Sequence, residues 1–338
     1  MRKLLNTLYV TKADTYLALD GENIVCRLDD APDFRISFEN VESIVCFSYQ
    51  GCSPALMGKC AEKLIPISFL SPQGRFLAKV TGETKGNVHL RVAQIDRFRQ
   101  DGFVLAQNVV AAKLSNAIHL IARSQHDRPE LRSEAAVRET VAALRQSVDA
   151  VYLADTMDSL RGIEANAAKS FLSVFDRLMK TDTFSFTMRS KRPPTDPVNA
   201  MLSFVYTLYT LECASALETV GLDSGIGYFH TLRSGRASLA CDLVEEFRAI
   251  AERFILTLIN LKMVNQKDFT TLASGAVYLN DEGRKKLLTH WQKKKRTDIL
   301  HPVLKQKIQF GLLPYVQSNL LAKYVRGEIA EYPCYLVK

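Results

Sequence analysis

The amino-acid sequence predicts an α+β multidomain protein, with a small N-terminal β-rich domain over residues 1–82 and a larger all-α domain over residues 83–338. Short runs rich in Val, Ile, Tyr, Phe and Leu, separated by turn residues, fill the first eighty positions. From Val88 onward, hydrophobic residues recur at helical spacing instead. A chain of 338 residues, 47% of them hydrophobic, is long enough to bury a core in each domain.

The β-rich region is predicted to hold seven strands and one short helix. Turn residues such as Asp20-Gly21 and Pro32 separate successive strands. Ser53 is a suitable N-cap for the helix, and Pro54 is a suitable first helical residue. The predicted strands are LLNTLYV, TYLALD, NIVCRL, FRISF, SIVCF, IPISFL and RFLAKV. Their alternation of polar and apolar residues is imperfect, so we expect some strands to be covered on both faces.

The rest of the chain is predicted to be helical. Val88, Val92 and Ile95 begin a hydrophobic stripe at helical spacing, and the helical pattern continues beyond them. Further helices are predicted over roughly residues 129–150, 156–180, 197–220, 237–262 and 281–296.

The net charge of +8 belongs entirely to the predicted helical domain, because residues 1–82 contain nine basic and nine acidic side chains. Residues 284–307 concentrate it, with nine Lys or Arg residues and a single acid, Asp298. Such a patch suits the phosphate backbone of a nucleic acid. A solvated helix face followed by a loop is the alternative interpretation of the same charges.

Composition also bounds the cellular location. No run approaches the ~18 apolar residues of a membrane span. The N-terminal segment MRKLLNTLYVTKADTYLAL lacks the continuous apolar stretch of a signal peptide. We therefore expect a cytoplasmic protein without a membrane partner. The seven cysteines are odd in number and contain no CxxC pair, which disfavours a disulfide framework and a zinc finger.

The stretch GIGYFHTLRSGRASLACDLVEEFR, residues 225–248, places His230 upstream of an acidic cluster. On one helix, Asp242, Glu245 and Glu246 are neighbours at i, i+3 and i+4. Like charges at that spacing destabilise a helix, and a bound cation would reverse the effect. The alternative is an ordinary solvated helix face whose early acids complement the helix dipole.

A second segment, DTMDSLRGIEANAAKSFLSVFDRLMK, places Glu164 among small residues that allow another helix or a ligand to approach closely. One histidine nitrogen with two or three carboxylate oxygens suits Mg²⁺ or Mn²⁺ rather than thiolate-bound zinc. In a basic helical domain, such a site indicates phosphodiester chemistry, in which the metal ion stabilises charge on the phosphate.

A third segment, FTMRSKRPPTDPVNAMLSFVYTLY, puts basic residues on a proline-stiffened loop. Basic side chains on such a loop are suited to contact backbone phosphates. The alternative is an interdomain loop whose charges face water. The candidate DNA contacts of this loop and of the basic patch are Arg189, Lys191, Arg192, Lys293, Lys294, Lys295 and Arg296.

The whole chain resembles the Cas1 family, the CRISPR-associated endonucleases and integrases of spacer acquisition. The resemblance rests on an ordered set of segments rather than on one diagnostic motif, and it is closest to the form found in type I-C systems. The segments are LLNTLYVTKADTYLALDGENIV, SPALMGKCAE, GRFLAKVTGETKGNV, SLRGIEANAAKSFLSVFD, KRPPTDPVNAMLSFVYTLY, GRASLACDLVEEFR and HPVLKQKIQFGLLPYVQSNLLAKYVRGEIAEYP.

This resemblance implies which residues form the catalytic site. Glu164, His230 and Glu245 are expected to hold Mg²⁺ or Mn²⁺. Asp242 matches a further catalytic acid beside the metal ion, where it would orient the site or hold a metal-bound water. Glu246 is expected to be a solvated side chain.

The resemblance also implies the reaction. The 3′-hydroxyl of a captured DNA fragment would attack a phosphodiester of the CRISPR repeat, and water in its place would make the site an endonuclease. Ligation needs a neutral imidazole, so activity is expected to fall as His230 becomes protonated at acid pH. One alternative is a catalytically inert DNA-binding scaffold of the adaptation complex. Another is a hydrolase of small phosphorylated molecules, which no Gly-rich phosphate loop supports.

Several partners follow from the same resemblance. The substrates would be double-stranded DNA with 3′ ends and CRISPR repeat DNA. The β-rich domain would form a homodimer, and the small adaptation protein Cas2 would complete a heterohexamer. The Cas4 nuclease is a further expected partner.

Overall fold

The structure, a computed structural model, describes residues 5–29, 31–82 and 88–337. The chain forms two compact units. The first contains the described residues up to 82 together with 267–299 and 307–313, and the second contains 88–266, 300–306 and 314–337. A β-rich N-terminal region is followed by a larger helical region, as the sequence predicts.

Seven strands and one helix build the N-terminal part of the first unit. They are β1 (Thr7–Val10), β2 (Tyr16–Asp20), β3 (Asn23–Leu28), β4 (Ala31–Ser37), β5 (Ser43–Cys46), α1 (Pro54–Glu62), β6 (Ile67–Leu70) and β7 (Phe76–Val80). Four strands form a mixed sheet in the order β1-β5-β6-β7, in which only β6 and β7 are antiparallel. The other three form an antiparallel sheet in the order β2-β3-β4. All seven predicted strands are confirmed.

The core of this unit explains why its strands alternate imperfectly. Three consecutive residues are buried in β5 and three in β3, so these strands are covered on both faces. Ile44 and Ile67 of the mixed sheet pack in one core with Leu56 of α1. The predicted start of α1 is confirmed, because the Ser53 hydroxyl accepts a hydrogen bond from the Leu56 N–H at 3.2 Å and Pro54 is the first helical residue.

Six helices build most of the second unit. They are α2 (Val88–Asp127), α3 (Ala135–Leu153), α4 (Met157–Ser173), α5 (Pro197–Thr219), α6 (Ser238–Glu245) and α7 (Arg248–Asn260). The helix predicted over 237–262 is therefore two helices, interrupted at Glu246 and Phe247. The hydrophobic period continues through this break, so the sequence pattern does not reveal it.

The helices α2 and α5 are long and apolar enough to cross a membrane by length and composition, with 18-residue windows of mean hydropathy 1.2 and 1.3. The sequence alone predicted no run of this kind. In the structure, 72% and 61% of those windows are buried inside the protein. This burial is typical of the core helices of a globular unit, and it accounts for their apolar composition.

After α7 the chain returns to the first unit. The strands β8 (Phe269–Thr271) and β9 (Val277–Leu279) form an antiparallel hairpin, and the helix α8 (Asp281–Lys295) follows. Trp291 of α8 is fully buried and lies edge-on to Phe310, with ring centres 5.8 Å apart. The strands β10 (Asp298–Leu300) and β11 (Lys307–Gln309) and the helix α9 (Leu313–Val325) complete the chain.

The predicted domain boundary at residue 82 assigns residues 267–299 to the helical domain. In the structure, these residues belong to the first unit instead. The sequence could not reveal this assignment, because the hydrophobic period of α8 indicates that one helix face is buried but does not indicate which core that face contacts. The dimerisation role of residues 1–82 stays a prediction.

Candidate active site

Asp242 organises the loop that carries His230. Its carboxylate, on α6 and 2% exposed, accepts hydrogen bonds from the backbone N–H groups of Tyr228 (2.5 Å), Phe229 (3.0 Å) and His230 (2.9 Å). The loop lies so close to α6 that a Cβ on Gly227 would stand 2.8 Å from an Asp242 oxygen. Only glycine fits at that position without moving the loop.

The same carboxylate fixes the imidazole ring of His230. His230 Nδ1 lies 2.6 Å from Asp242 Oδ1, and a carboxylate only accepts, so Nδ1 carries the proton and donates it. The other nitrogen, Nε2, lies 4.0 Å from Glu245 Oε1 and is the one that offers a lone pair when the imidazole is neutral. The Asp242 carboxylate accepts four hydrogen bonds, one of them from Nδ1 of His230. Asp242 therefore orients the imidazole ring, which is the role of the carboxylate partners of metal-binding histidines.

Glu245 is the most deeply buried of the three predicted ligands and lies between two cations. Its side chain is 2% exposed, and Oε2 is 2.7 Å from Lys113 Nζ on α2 and 2.7 Å from Arg248 Nε on α7. Burial raises the pKa of Glu245, but the positive charges of Arg248 and Lys113 outweigh burial and lower the pKa to about 2. Glu245 is therefore an anion at neutral pH.

Lys113 brings Glu164 into the same cluster. Its ammonium group also pairs with Glu164 Oε1 on α4, so one cation lies between the carboxylates of Glu164 and Glu245. Arg161, one turn earlier on α4, donates a hydrogen bond to Thr231 Oγ1 at 3.0 Å. This contact joins α4 to the loop that carries the histidine. The three predicted ligands, which come from three separate segments, thus belong to one cluster.

The donor chemistry of this cluster fits a divalent cation. Two carboxylates and one imidazole nitrogen are ligands that Mg²⁺ and Mn²⁺ accept. Within residues 5–29, 31–82 and 88–337, no group of three His, Cys, Asp or Glu side chains is already arranged around a metal position. The ammonium of Lys113 stands between Glu164 and Glu245 and supplies the positive charge that these acids require.

The prediction that Glu246 is a solvated side chain is wrong, because this residue is fully buried. Its carboxylate accepts hydrogen bonds from the Tyr332 hydroxyl (2.7 Å), the Tyr335 N–H (2.6 Å) and Gln317 Nε2 (2.9 Å). Burial raises the pKa of Glu246 to about 7, although these hydrogen bonds act in the opposite direction. Its partners lie in α9 and the C-terminal segment, and helical periodicity within residues 238–260 gives no sign of them.

A second layer of side chains holds Arg248. Its guanidinium lies 4.7 Å from the ring centre of Tyr206, whose hydroxyl donates to Glu252 Oε1 at 2.7 Å. Burial raises the pKa of Glu252. The guanidinium of Arg189 lies 5.7 Å from the same ring and donates to Asn199 Oδ1 at 2.7 Å. Arg189, predicted as a DNA contact, is thus engaged with the protein and only partly exposed.

The remaining candidate DNA contacts occupy different environments. The exposed ones are Lys191, Arg192, Lys293 and Arg296. Lys294 is partly buried, with its Nζ 5.2 Å from the ring centre of Phe310. Lys295 is 5% exposed and its Nζ lies 3.2 Å from Thr7 Oγ1, so it faces the inside of the first unit. The basic run is therefore not one solvated face, because α8 buries part of it.

Lys113 and Arg248 were not predicted from the sequence as residues of this site. Arg248 follows Glu245 by three residues, a spacing at which oppositely charged helical side chains meet. Lys113 is the single lysine of the largely apolar stretch VLAQNVVAAKLSNAIHLI. A lone lysine among core residues needs a buried partner, and that signal could have indicated the ion pairs.

Comparisons with known proteins agree on one family. The sequence model described as CRISPR associated protein Cas1 matches residues 8–293. The chain is 42% identical to a CRISPR-associated endonuclease Cas1 of Chlorobaculum tepidum and 40% identical to one of Moorella thermoacetica, over 98% of each chain. It is 31% identical to a CRISPR-associated exonuclease Cas4/endonuclease Cas1 fusion of Geobacter sulfurreducens, over 98% of this chain and 60% of the relative.

Solved structures share the fold. A casposase bound to integration product matches with a TM-score of 0.83 at 19% identity, over 97% of this chain and 94% of that one. A Cas1 protein from Thermotoga maritima matches with a TM-score of 0.82 at 22% identity, over 95% and 97%. A chain of a Cas6-RT-Cas1–Cas2 complex matches with a TM-score of 0.84 at 21% identity, over 98% of this chain and 36% of that one. At these identities the likeness concerns the fold alone.

Proposed function

Because the chain belongs to the Cas1 family of CRISPR-associated proteins, we propose that it is a metal-dependent DNA integrase and endonuclease that inserts captured DNA fragments as new spacers into a CRISPR array. The observation that carries this proposal is the cluster of Glu164, His230 and Glu245, in which two carboxylates share one cation and a histidine nitrogen lies 4.0 Å from a carboxylate oxygen. Relatives at 40% and 42% identity that are named endonucleases support nuclease chemistry.

In the proposed reaction, the 3′-hydroxyl of the fragment attacks a phosphodiester of the repeat. A bond forms between that oxygen and phosphorus, and the bond from phosphorus to the 3′-oxygen of the repeat strand breaks. The attacking hydroxyl loses its proton to solvent, and the departing oxygen gains one. With water as the nucleophile, the same displacement is hydrolysis. When bound, Mg²⁺ or Mn²⁺ supplies the Lewis-acid charge that stabilises the phosphate oxygens.

The residues of the chain have distinct tasks in this proposal. Glu164 and Glu245 would hold the ion through carboxylate oxygens, and His230 would hold it through Nε2. Asp242 keeps the His230 proton on Nδ1, so the lone pair of Nε2 stays available. Arg248 keeps Glu245 ionised, because its charge opposes the effect of burial on the pKa of that carboxyl.

The assembly of the protein is part of the same proposal. We propose double-stranded DNA with 3′ ends and CRISPR repeat DNA as substrates, and Cas2 as the partner in a heterohexamer built on a homodimer. The Cas1–Cas2 complex among the similar folds supports Cas2, and the fusion relative supports Cas4 as a further partner. The type I-C subtype and a cytoplasmic location complete the proposal.

A catalytically inert DNA-binding scaffold is the second candidate function. The position of the Lys113 ammonium between Glu164 and Glu245 favours it, because a neutralised cluster needs no metal ion. The two functions predict different outcomes for the same variants, since a scaffold would bind DNA without any metal-dependent strand transfer.

The test measures metal-dependent strand transfer into a repeat substrate. Glu164→Ala and His230→Ala are each expected to lower the rate about a hundredfold or more, because each removes one group that stabilises the developing charge. Glu139→Ala, at an exposed position of α3, is the control and should keep the wild-type rate. Wild-type rates in both site variants would contradict the integrase proposal, and absence of transfer by the wild-type protein with normal DNA binding would favour the scaffold.

A further inference from the structure

Lys113 is an unusual residue for its position. The helix α2 contains no other lysine, and the neighbours Val110, Ala112 and Leu114 are buried in the core of the second unit. The Lys113 side chain is only 12% exposed. Its stem is therefore packed, and its ammonium group is largely removed from water, an arrangement that is stable only with nearby anions.

The two anions that Lys113 meets are the carboxylates proposed to bind metal. Its Nζ forms ion pairs with Glu164 Oε1 and, at 2.7 Å, with Glu245 Oε2. These carboxylates come from α4 and α6, so the ammonium links two acids that lie 81 positions apart in the sequence. A cation at this point neutralises a repulsion that would otherwise push the two acids apart.

Arg248 does not duplicate this role. It contacts Glu245 from the start of α7, three residues along the chain, and its guanidinium is fixed over the Tyr206 ring at 4.7 Å. Its ion pair in the cluster is with Glu245, whereas Lys113 pairs with both acids. A lysine carries a compact charge on a flexible four-carbon stem, so it can withdraw while the guanidinium stays in place.

We propose that Lys113 is a resident counter-cation that competes with the divalent metal ion for the oxygens of Glu164 and Glu245. The ammonium holds the two carboxylates close together before metal arrives. Metal binding then requires the ammonium to leave those oxygens. The metal affinity therefore includes the free energy of displacing the Lys113 ammonium from the two carboxylates. This inference rests on the proposed function, because it assumes that these acids bind a divalent ion.

The exchange predicts that removing the lysine charge strengthens metal binding. Lys113→Met keeps the length and apolar packing of the stem but removes the competing charge. The dissociation constant for Mn²⁺, measured by calorimetry on the full chain at one pH, is expected to fall about tenfold or more, since the divalent ion no longer meets a like charge. Without metal, the same variant should melt at a lower temperature than the wild type, and Mn²⁺ should raise its melting temperature by more.

Two further variants separate charge from packing. Lys113→Arg keeps the positive charge and should bind Mn²⁺ within about threefold of the wild type. Lys169→Met removes an exposed lysine of α4 and should leave the affinity unchanged. Should Lys113→Met fold poorly, Lys113→Gln removes the charge while retaining a polar end group.

The Mn²⁺ affinities of these variants show whether the Lys113 charge competes with the metal ion. Tighter binding in the uncharged variants alone supports the exchange. Unchanged or weaker binding in Lys113→Met and Lys113→Gln, or equal tightening in Lys113→Arg, overturns it while leaving the metal site intact. A wild-type protein that binds no Mn²⁺ contradicts the proposed function itself, and this inference fails with it.

Discussion

The carboxylate of Asp242 accepts three hydrogen bonds from backbone N–H groups and one from the ring of His230. A single buried acid thus shapes the loop and selects the histidine tautomer. This double role explains why the acid is buried beside a histidine that is 26% exposed. It also separates Asp242 from Glu245, although both lie on α6 and share the same burial.

Asp242→Asn tests this positioning role. An amide cannot accept at both of its end atoms, so one set of loop hydrogen bonds is lost and the proton of His230 is no longer held on Nδ1. We expect strand transfer and Mn²⁺ affinity to fall together, by about 10- to 100-fold. Both quantities are measured on the same preparation, with Asp149→Asn, at an exposed position of α3, as the control. An unchanged Mn²⁺ affinity would contradict the positioning role.

Individual residues of the cluster were predictable to different degrees. Glu164, His230 and Glu245 were predictable as a set because the ordered segments that contain them resemble the Cas1 family, and the structure brings them into one cluster. Their roles as metal ligands stay a prediction. Lys113 belongs to no such segment, because a lysine on an apolar helix face reveals its partners only after α2, α4 and α6 have packed together.

At the scale of elements, the break between α6 and α7 directly follows Glu245 and precedes Arg248, the first residue of α7. Glu246 and Phe247 occupy the break, and both are fully buried. The C-terminal segment secures it, since Asn116 of α2 donates to the backbone oxygens of Glu246 (2.9 Å) and Tyr335 (2.8 Å). A helix that continued through residue 246 would carry the next side chains away from these partners.

The buried carboxylate of Glu246 predicts a pH dependence of stability. Its folded pKa of about 7 is above the ordinary value of 4.5, so between these values the folded state binds a proton that the unfolded state releases. Stability therefore falls as the pH rises from about 4.5 to 7. Glu246→Gln resembles the protonated form and has no such dependence. Relative to the wild type, it should be more stable at pH 8 than at pH 5 by up to about 3 kcal/mol.

Urea denaturation of the full chain at both pH values measures this difference. Glu139→Gln, at an exposed position of α3, is the matched control and should shift neither value. A difference between Glu246→Gln and the wild type that is the same at pH 5 and pH 8 would show that Glu246 does not titrate in this range.

The elements themselves were largely predictable because their signals are local. Turn residues and the cap at Ser53 mark the ends of the N-terminal strands and of α1, and the structure confirms them. The break at Glu246 was not predictable, because its cause lies in residues of α9 and the C-terminal segment. Local patterns thus specify where a helix forms, whereas distant partners specify where this one ends.

At the scale of the whole molecule, the basic residues beyond position 82 are not all exposed on the surface. The net charge of +8 is carried by residues beyond position 82, yet part of the basic run over 284–307 packs inside the first unit. Arg284, 3% exposed, donates to the backbone oxygens of Pro72 (2.9 Å) and Thr11 (3.0 Å). Charge counted along the sequence therefore overestimates the exposed basic surface of this segment.

The division into two units shows a similar limit of sequence patterns. Composition and period separate a β-rich beginning from a helical remainder, because strands and helices have different repeats. They do not show that the segment around Trp291 returns to the first unit. That return depends on which core accepts the buried face of α8, and only the three-dimensional packing decides it.

In the proposed function, Glu164, His230 and Glu245 form one metal site in which His230 binds through a ring nitrogen. Pulsed electron paramagnetic resonance of the full chain with bound Mn²⁺ tests it most directly, because a coordinated imidazole nitrogen couples to the manganese electron spin. We expect a nitrogen coupling in the wild-type protein that disappears in His230→Ala and persists in His119→Ala, a control on α2. A coupling that survives in His230→Ala, or a wild-type spectrum without nitrogen coupling, would show that His230 is not a ligand of the metal ion.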